Sequence, residues 1–238
     1  MYDLLFTTMI SKEARRPTML GEPDNFFWHP HHIIESFFPL QQAHPLLPEI
    51  KIHKLLDVRP LVEAIEAGNV PSIWGRNLTY GIAYTGGVFL ARHILDHPEI
   101  VEGKWVADLG AGSGIVALAA DIAGANHVAA YDHDPIAVEF TRLNMFANRA
   151  CLHIVQKNVL EADLSHYHCI AAADIFVHQR VSGPLQERLI QQAAYGKTVL
   201  AASGGFLAPR IMKYGTPLPL PPHCPGDVPR PAFAIRLG

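Results

Sequence analysis

The stretch Val106-Ala-Asp-Leu-Gly-Ala-Gly-Ser-Gly-Ile115 constrains this chain more than any other. A short apolar run enters Asp108, glycines follow at 110, 112 and 114, and small apolar residues resume at Ile115. That order predicts a strand, a tight turn and a helix. Glycine tolerates the left-handed backbone such a turn demands, and the first turn of the helix leaves amide groups for a ligand. The dinucleotide fingerprint GxGxxG places its third glycine one residue later, so the pattern departs from it. Asp108 sits two residues before Gly110, where a carboxylate would repel a pyrophosphate and attract a cationic amino group.

The segment Tyr131-Asp132-His133-Asp134-Pro135 complements the loop. Asp132 lies 22 residues after Gly110, at the end of a second strand. A carboxylate there can accept bonds from both hydroxyls of a ribose. An amine-facing Asp108, a glycine loop and a ribose-facing Asp132 describe a nucleoside amino acid better than a dinucleotide. The competing reading is a glycine-rich turn of any doubly wound fold, with Asp132 and Asp134 capping the next helix.

The flanking chain alternates strand and helix signals. Residues 105–109, 127–131, 152–156, 170–176 and 198–202 read as strands, and 86–97, 115–123, 136–148 and 185–194 as helices. Alternation of this kind predicts βαβ units, a parallel sheet and helices on both faces. Residues 232–237 alternate like an antiparallel edge strand. Eight of the 19 prolines fall in 1–71 and eight in 209–231. Proline breaks helix interiors and central strands, so regular structure is expected mainly in 72–208. The expected organisation is an N-terminal extension over 1–71, serving as a substrate-access arm or lid, a binding core over 72–208, and a Pro-rich C-terminal segment over 209–238 that closes the sheet edge.

Composition excludes several classes. With 238 residues, 49% apolar and 17% charged, the chain can bury a core without disulfides and is not a disordered acidic or basic protein. Nineteen Lys and Arg against 22 Asp and Glu leave a net charge of −3, so no nucleic-acid partner is expected. No apolar run reaches the ~18 residues needed to span a bilayer, and no membrane partner is expected. Cys151, Cys169 and Cys224 form no CxxC pair, which suits a reducing compartment. The first residues lack a basic region and a cleavage site, so the expected location is cytoplasmic.

DLGAGSG together with YDHDP resembles motifs I and II of the class I, seven-β-strand, S-adenosylmethionine-dependent methyltransferases. Upstream, Tyr80-Gly-Ile-Ala-Tyr84-Thr-Gly-Gly87 followed by LARHILDHPEIVEGKWVADLGAGSG is similar to the electron-transfer-flavoprotein β-subunit lysine methyltransferases of bacterial type. Ribosomal-protein L11 methyltransferases are more distant relatives. The resemblance implies a Rossmann-like, doubly wound, mostly parallel α/β sheet and S-adenosyl-L-methionine as cofactor. It implies that Asp108 and Gly110 lie at the methionine end, that Gly112 and Gly114 shape the loop, and that Asp132 holds the ribose. It places Asn158 toward the adenine and Gly86 over the cofactor carboxylate.

The family's acceptor motif, Asp-x-x-Tyr, reads Asp174-Ile-Phe-Val177 here, with His178 next. Asp174 is the candidate to orient an acceptor amine and His178 a candidate base. Val177 replaces the family's Tyr, Tyr84 stands for a Trp, Thr85 for a Pro, and residues 203–205 lack the family's charges. The expected function is methylation of a protein side chain, lysine first. A small-molecule N- or O-methyltransferase and a non-catalytic S-adenosylmethionine-binding paralogue are the alternatives. The His-rich stretches 28–32 and 166–169 lack an established zinc spacing, and no metal is assigned.

Overall fold

A computed structural model describes residues 29–75, 78–177, 179–204, 209–219 and 233–237. The chain opens with α1 (Pro30–Phe37), an antiparallel hairpin of β1 (Leu40–His44) and β2 (Leu47–His53), and α2 (Arg59–Glu66). Then follow α3 (Thr85–Asp96), β3 (Trp105–Leu109), α4 (Ile115–Ile122), β4 (His127–Asp132), α5 (Pro135–Ala147) and β5 (Leu152–Gln156). The second half holds β6 (Cys169–Ala173), α6 (Gln179–Ala194), β7 (Thr198–Ser203), α7 (Pro209–Met212), β8 (Thr216–Pro217) and β9 (Phe233–Leu237).

Seven strands form one sheet in the order β5-β4-β3-β6-β7-β9-β8. The first five are parallel and β9 runs antiparallel to β7. The expected α/β doubly wound sheet with an antiparallel C-terminal strand is borne out. The strand expected at the edge is not the edge, because β8 pairs outside β9. Pro217 fits there, since an outermost strand does not need every amide.

Strand alternation sorts the core. Val106 of β3, Val128 and Ala130 of β4, and Cys169 and Ala171 of β6 bury one sheet face with α3, α4 and the hairpin. Ala107, Leu109, Ala129, Tyr131, Ile170 and Ala172 bury the other, where Leu185 and Leu189 of α6 close it. A third apolar cluster joins Ile33, Ile34 and Phe38 of the N-terminal region, Leu61 and Trp74 to Ile136, Phe140 and Leu143 of α5.

The N-terminal region departs from the proline-based expectation. Residues 29–71 hold two helices and a hairpin, because their prolines stand where proline is tolerated. Pro30 and Pro60 open helices, and Pro45 lies in the hairpin turn. Ala43, Leu47, Ile50 and Ile52 are fully buried in the main core, so this part of the extension is packed into the domain. Two other boundaries shift. Strand β6 stops at Ala173 instead of running to 176, because Asp174 adopts φ 54° and turns the chain into a short 3-10 segment. Helix α6 begins at Gln179, not 185; Pro184 lies inside it, past the first turn, where its missing amide forgoes the bond to the Arg180 carbonyl.

Phe140 is fully buried and meets Phe38 edge to face at 5.0 Å, linking α5 to the N-terminal layer. Phe140→Ala is expected to remove about 3–5 kcal/mol of unfolding free energy. Urea denaturation followed by tryptophan fluorescence checks this, and a loss below about 1 kcal/mol would contradict the packing described.

Candidate functional site

The candidate site lies at the C-terminal ends of β4, β3 and β6, where chain order reverses between β3 and β6. The glycine loop leaves β3 here. Gly110, Gly112 and Gly114 have φ of 75°, 55° and 79°, the left-handed region that an L side chain resists. Gly110 and Ala111 donate to the carbonyl of Tyr131 at 2.8 and 3.0 Å, tying the loop to β4. A Cβ on Gly110 would stand 2.5 Å from Ile175, so glycine is also needed for close packing there.

Three carboxylates converge on this end of the sheet. Asp108 shares the face of Val106 and is only 2% exposed. It accepts the amide of Ala117, in the first turn of α4, at 3.1 Å. Burial, only partly opposed by that bond, pushes its pKa up to about 7. Asp132 accepts the amides of Gly112 at 3.0 Å and Asp134 at 3.1 Å, and burial raises its pKa against both bonds. Its side chain stays 10% exposed. A carboxylate offers about four acceptor positions. Two are taken, which leaves capacity for two hydroxyl donors such as a ribose diol. The neighbouring Asp134 caps α5 by accepting the amide of Ile136 at 2.8 Å. Asp132 itself spends no bond on that helix, which separates the two roles that sequence left in competition.

Asp174 is the third carboxylate. Its oxygens accept the amides of Gly87 at 2.8 Å and Gly204 at 2.7 Å, and the Gly86 amide also bonds it. Burial raises its pKa first, and the Gly204, Gly87 and Gly86 amides pull it back. The helix N-terminus it meets is that of α3, a favourable place for an anion. A Cβ on Gly86 would lie 2.7 Å from both Asp174 oxygens, so Gly86 is what admits this carboxylate. Tyr84 stands at the start of α3, and burial together with the Asp174 charge raises its phenol pKa. Asn158 follows β5 at the same end of the sheet, is exposed, and uses its side-chain oxygen to accept the Leu160 amide at 3.0 Å. His178 lies outside the described residues.

Sequence reading passed over three side chains that the site depends on. The Tyr80 ring lies 3.7 Å from the position of a Cβ on Gly112, and its hydroxyl donates to Asp134 at 3.0 Å. Thr141 Oγ1 donates to the Gly112 carbonyl at 2.9 Å, and Asn144 Nδ2 donates to the Ser113 carbonyl at 2.8 Å. The signal available was polar residues at helical spacing on a mostly buried helix. The His-rich stretches have other duties. His29 caps α1, His31 faces Glu35 and Glu139, and His168 accepts the Trp105 amide at 3.1 Å. Cys169 is buried in β6, and burial pushes its thiol up to about 12.

The strand order, the glycine loop and the carboxylate ending β4 define a class I methyltransferase of seven-strand type. Residues 92–206 match the family described as Ribosomal protein L11 methyltransferase (PrmA). A Xenopus laevis protein named Electron transfer flavoprotein beta subunit lysine methyltransferase is 32% identical over 180 residues, covering 73% of this chain and 71% of that protein. The Rattus norvegicus protein of the same name is 36% identical over 128 residues, covering 53% of this chain and 50% of that one. This chain thus spans about half the length of several curated relatives it matches. Among solved structures, the T. thermophilus 16S rRNA N2 G1207 methyltransferase in complex with AdoMet and guanosine aligns with TM-score 0.50 and 19% identity, over 64% of this chain and 42% of that one. That likeness concerns the fold. The chain belongs to the same family as the first two relatives, the electron-transfer-flavoprotein β-subunit type of S-adenosylmethionine-dependent methyltransferases.

Asp108 sets a pH dependence whose sign is fixed by its raised pKa. Below about pH 4 the carboxyl is protonated in folded and unfolded chains alike. As pH rises from there through about 7, the unfolded chain loses this proton first, so the residue's stabilising contribution is lost across that window. Asparagine keeps an acceptor for Ala117 and never ionises. Asp108→Asn is expected to raise the melting temperature of the ligand-free protein more at pH 8 than at pH 5. Scanning fluorimetry at the two pH values checks it; equal shifts would mean that Asp108 does not titrate as described.

Proposed function

We infer that this protein transfers methyl groups from S-adenosylmethionine to a lysine side chain of a protein, with the electron transfer flavoprotein β subunit as the first candidate substrate. The observation that carries this reading is the 180-residue match to a relative of that name, which runs over most of the described fold. The site geometry supports the cofactor half. Asp132 retains acceptor capacity for a ribose diol, and the Gly112 region is open apart from the Tyr80 ring. Asp108, neutral or anionic near pH 7, is drawn to the anionic form by an approaching ammonium group.

S-adenosylmethionine supplies, when bound, a methyl group on a positively charged sulfur. The protein's share is alignment, desolvation and disposal of the acceptor's proton. In this reading Asp174 acts at the acceptor end. With both oxygens on backbone amides, it fixes the wall made by Tyr84, Gly86 and Gly204 and adds negative charge beside an incoming amine. His178 remains the candidate base by sequence alone. The net charge of −3 gives no general attraction to a phosphate backbone, which favours a protein acceptor over RNA.

The test is incubation of the full chain with methyl-labelled cofactor, the flavoprotein β subunit and, separately, a soluble extract. Label on lysine, located by mass spectrometry, is the expected result. Label confined to small molecules would replace the lysine reading with a small-molecule one, and cofactor binding without any labelling would mark a non-catalytic binder. Asp132→Ala is expected to weaken S-adenosylhomocysteine binding by about ten- to a hundredfold in calorimetric titration. Asp134→Ala is expected to cost less, since Asp134 serves the helix cap and Tyr80. The reverse order would refute the assignment of the ribose to Asp132.

A further inference from the structure

Thr141 and Asn144 are buried polar side chains of α5, and the partly buried Asn148 caps its C-terminus. Thr141, Asn144 and Asn148 are spaced three and four apart, so they lie in one stripe. One end of the stripe meets the glycine loop: Thr141 bonds the Gly112 carbonyl and Asn144 bonds the Ser113 carbonyl. The other end meets the N-terminal hairpin. Asn144 Oδ1 accepts the amide of His53, the last residue of β2, at 2.7 Å. Asn148 Oδ1 accepts the Lys51 amide at 2.8 Å, and its Nδ2 donates to the carbonyls of Lys51 and Asn144, each at 2.6 Å. Asn144 is fully buried, and its single carboxamide bonds the loop with its donor and the hairpin with its acceptor.

The chemistry at position 144 is narrow. The Ser113 carbonyl needs a donor and the His53 amide needs an acceptor, and a primary amide provides both. A carboxylate would meet Ser113 oxygen to oxygen and would bury a charge. A loop with three left-handed glycines has much conformational freedom to lose, so groups that fix its carbonyls before a ligand arrives reduce the cost of binding. If β2 lifts from α5, Asn144 loses its His53 partner and its grip on Ser113 loosens.

We propose that Asn144 is a positioning residue that hangs the glycine loop on the N-terminal hairpin, so that docking of β1–β2 onto α5 sets the affinity of the loop for its cofactor. This rests on the cofactor reading above. The proposal differs from a general packing role in one respect: Asn148, whose described side-chain bonds reach only Lys51 and Asn144, must affect a ligand bound at the loop.

The experiment uses the full chain, ligand-free and with S-adenosylhomocysteine. Calorimetry gives affinity, scanning fluorimetry gives the melting temperature, and hydrogen exchange reads the amides of residues 112–114 without ligand. Asn144→Ala is expected to weaken S-adenosylhomocysteine about tenfold or more, the consequence of an unsatisfied buried carbonyl and a released loop. Asn148→Ala is expected to weaken it about threefold and to speed loop exchange, a moderate loss for a surface-side anchor. The double variant is expected to bind no more weakly than Asn144→Ala alone, since the two losses share one route. Leu189→Ala, in the opposite core layer, serves as the control: a lower melting temperature with unchanged affinity. Asn148→Ala that lowers the melting temperature yet binds like the wild type, with unchanged loop exchange, overturns the proposal. Fully additive losses in the double variant overturn it as well. Should Asn144→Ala fail to fold, Asn148→Ala alone decides. A wild type that binds no S-adenosylhomocysteine would refute the cofactor reading, and exchange at residues 112–114 would still decide the coupling.

Discussion

The glycine loop after β3 can exist only because its backbone groups are bonded from outside. Its amides at Gly110 and Ala111 go to the Tyr131 carbonyl, and the Gly112 amide goes to Asp132. Its carbonyls at Gly112 and Ser113 go to Thr141 and Asn144 of α5. A turn of left-handed glycines has no helix or ladder of its own, so buried polar atoms left unbonded there would cost more than the turn could recover. The placement of α5 over the loop is therefore a condition of the site. The N-terminal layer, through Phe38 on Phe140 and Lys51 on Asn148, holds that helix from its other side.

A second constraint is electrostatic. Asp108, Asp132 and Asp174 end or nearly end three neighbouring strands, and burial raises the pKa of each. None of the three has a Lys or Arg bonded to its carboxylate in the described residues. Backbone amides do that work instead: Ala117 for Asp108, Gly112 and Asp134 for Asp132, Gly86, Gly87 and Gly204 for Asp174. Neutral dipoles hold the carboxylates in place without cancelling their charge, and the surplus negative potential suits a cationic ligand. Gly86 serves this arrangement by leaving out a Cβ that would lie 2.7 Å from both Asp174 oxygens.

The loop and its first carboxylates were legible in sequence because they are local. Strand, glycines and helix follow one another from Val106 to Ile115, so adjacent residues set the order of the elements even though distant ones bond the loop. The same holds for Asp134, Pro135 and the cap of α5. Sequence is silent where a residue's surroundings depend on a distant partner. Asp174 is legible as a strand-end carboxylate, but its amide partners at Gly86, Gly87 and Gly204 are tens of residues away. Nothing local marks Asn144 among the polar residues of a helix, because the loop lies 31 residues before it and the hairpin 91. Proline counting misjudges residues 29–71 because it weighs how many prolines there are and not where they stand: Pro30 and Pro60 at helix starts, Pro45 in a turn and Pro48 at the beginning of β2.

By itself the sequence determined the alternation of strand and helix, the left-handed loop, the carboxylate that ends β4 and the family to which these belong. The structural features follow from backbone preference and side-chain period, which act over a few residues, and the family from the resemblance of DLGAGSG and YDHDP to known motifs. The tertiary structure alone decided that residues 29–71 join the core, that β8 pairs outside β9, that Asp174 is bound by three amides, and that α5 carries the loop. Those outcomes depend on which buried polar groups find partners once the sheet is assembled. That is a property of the packed chain as a whole, and no single segment of the sequence contains it.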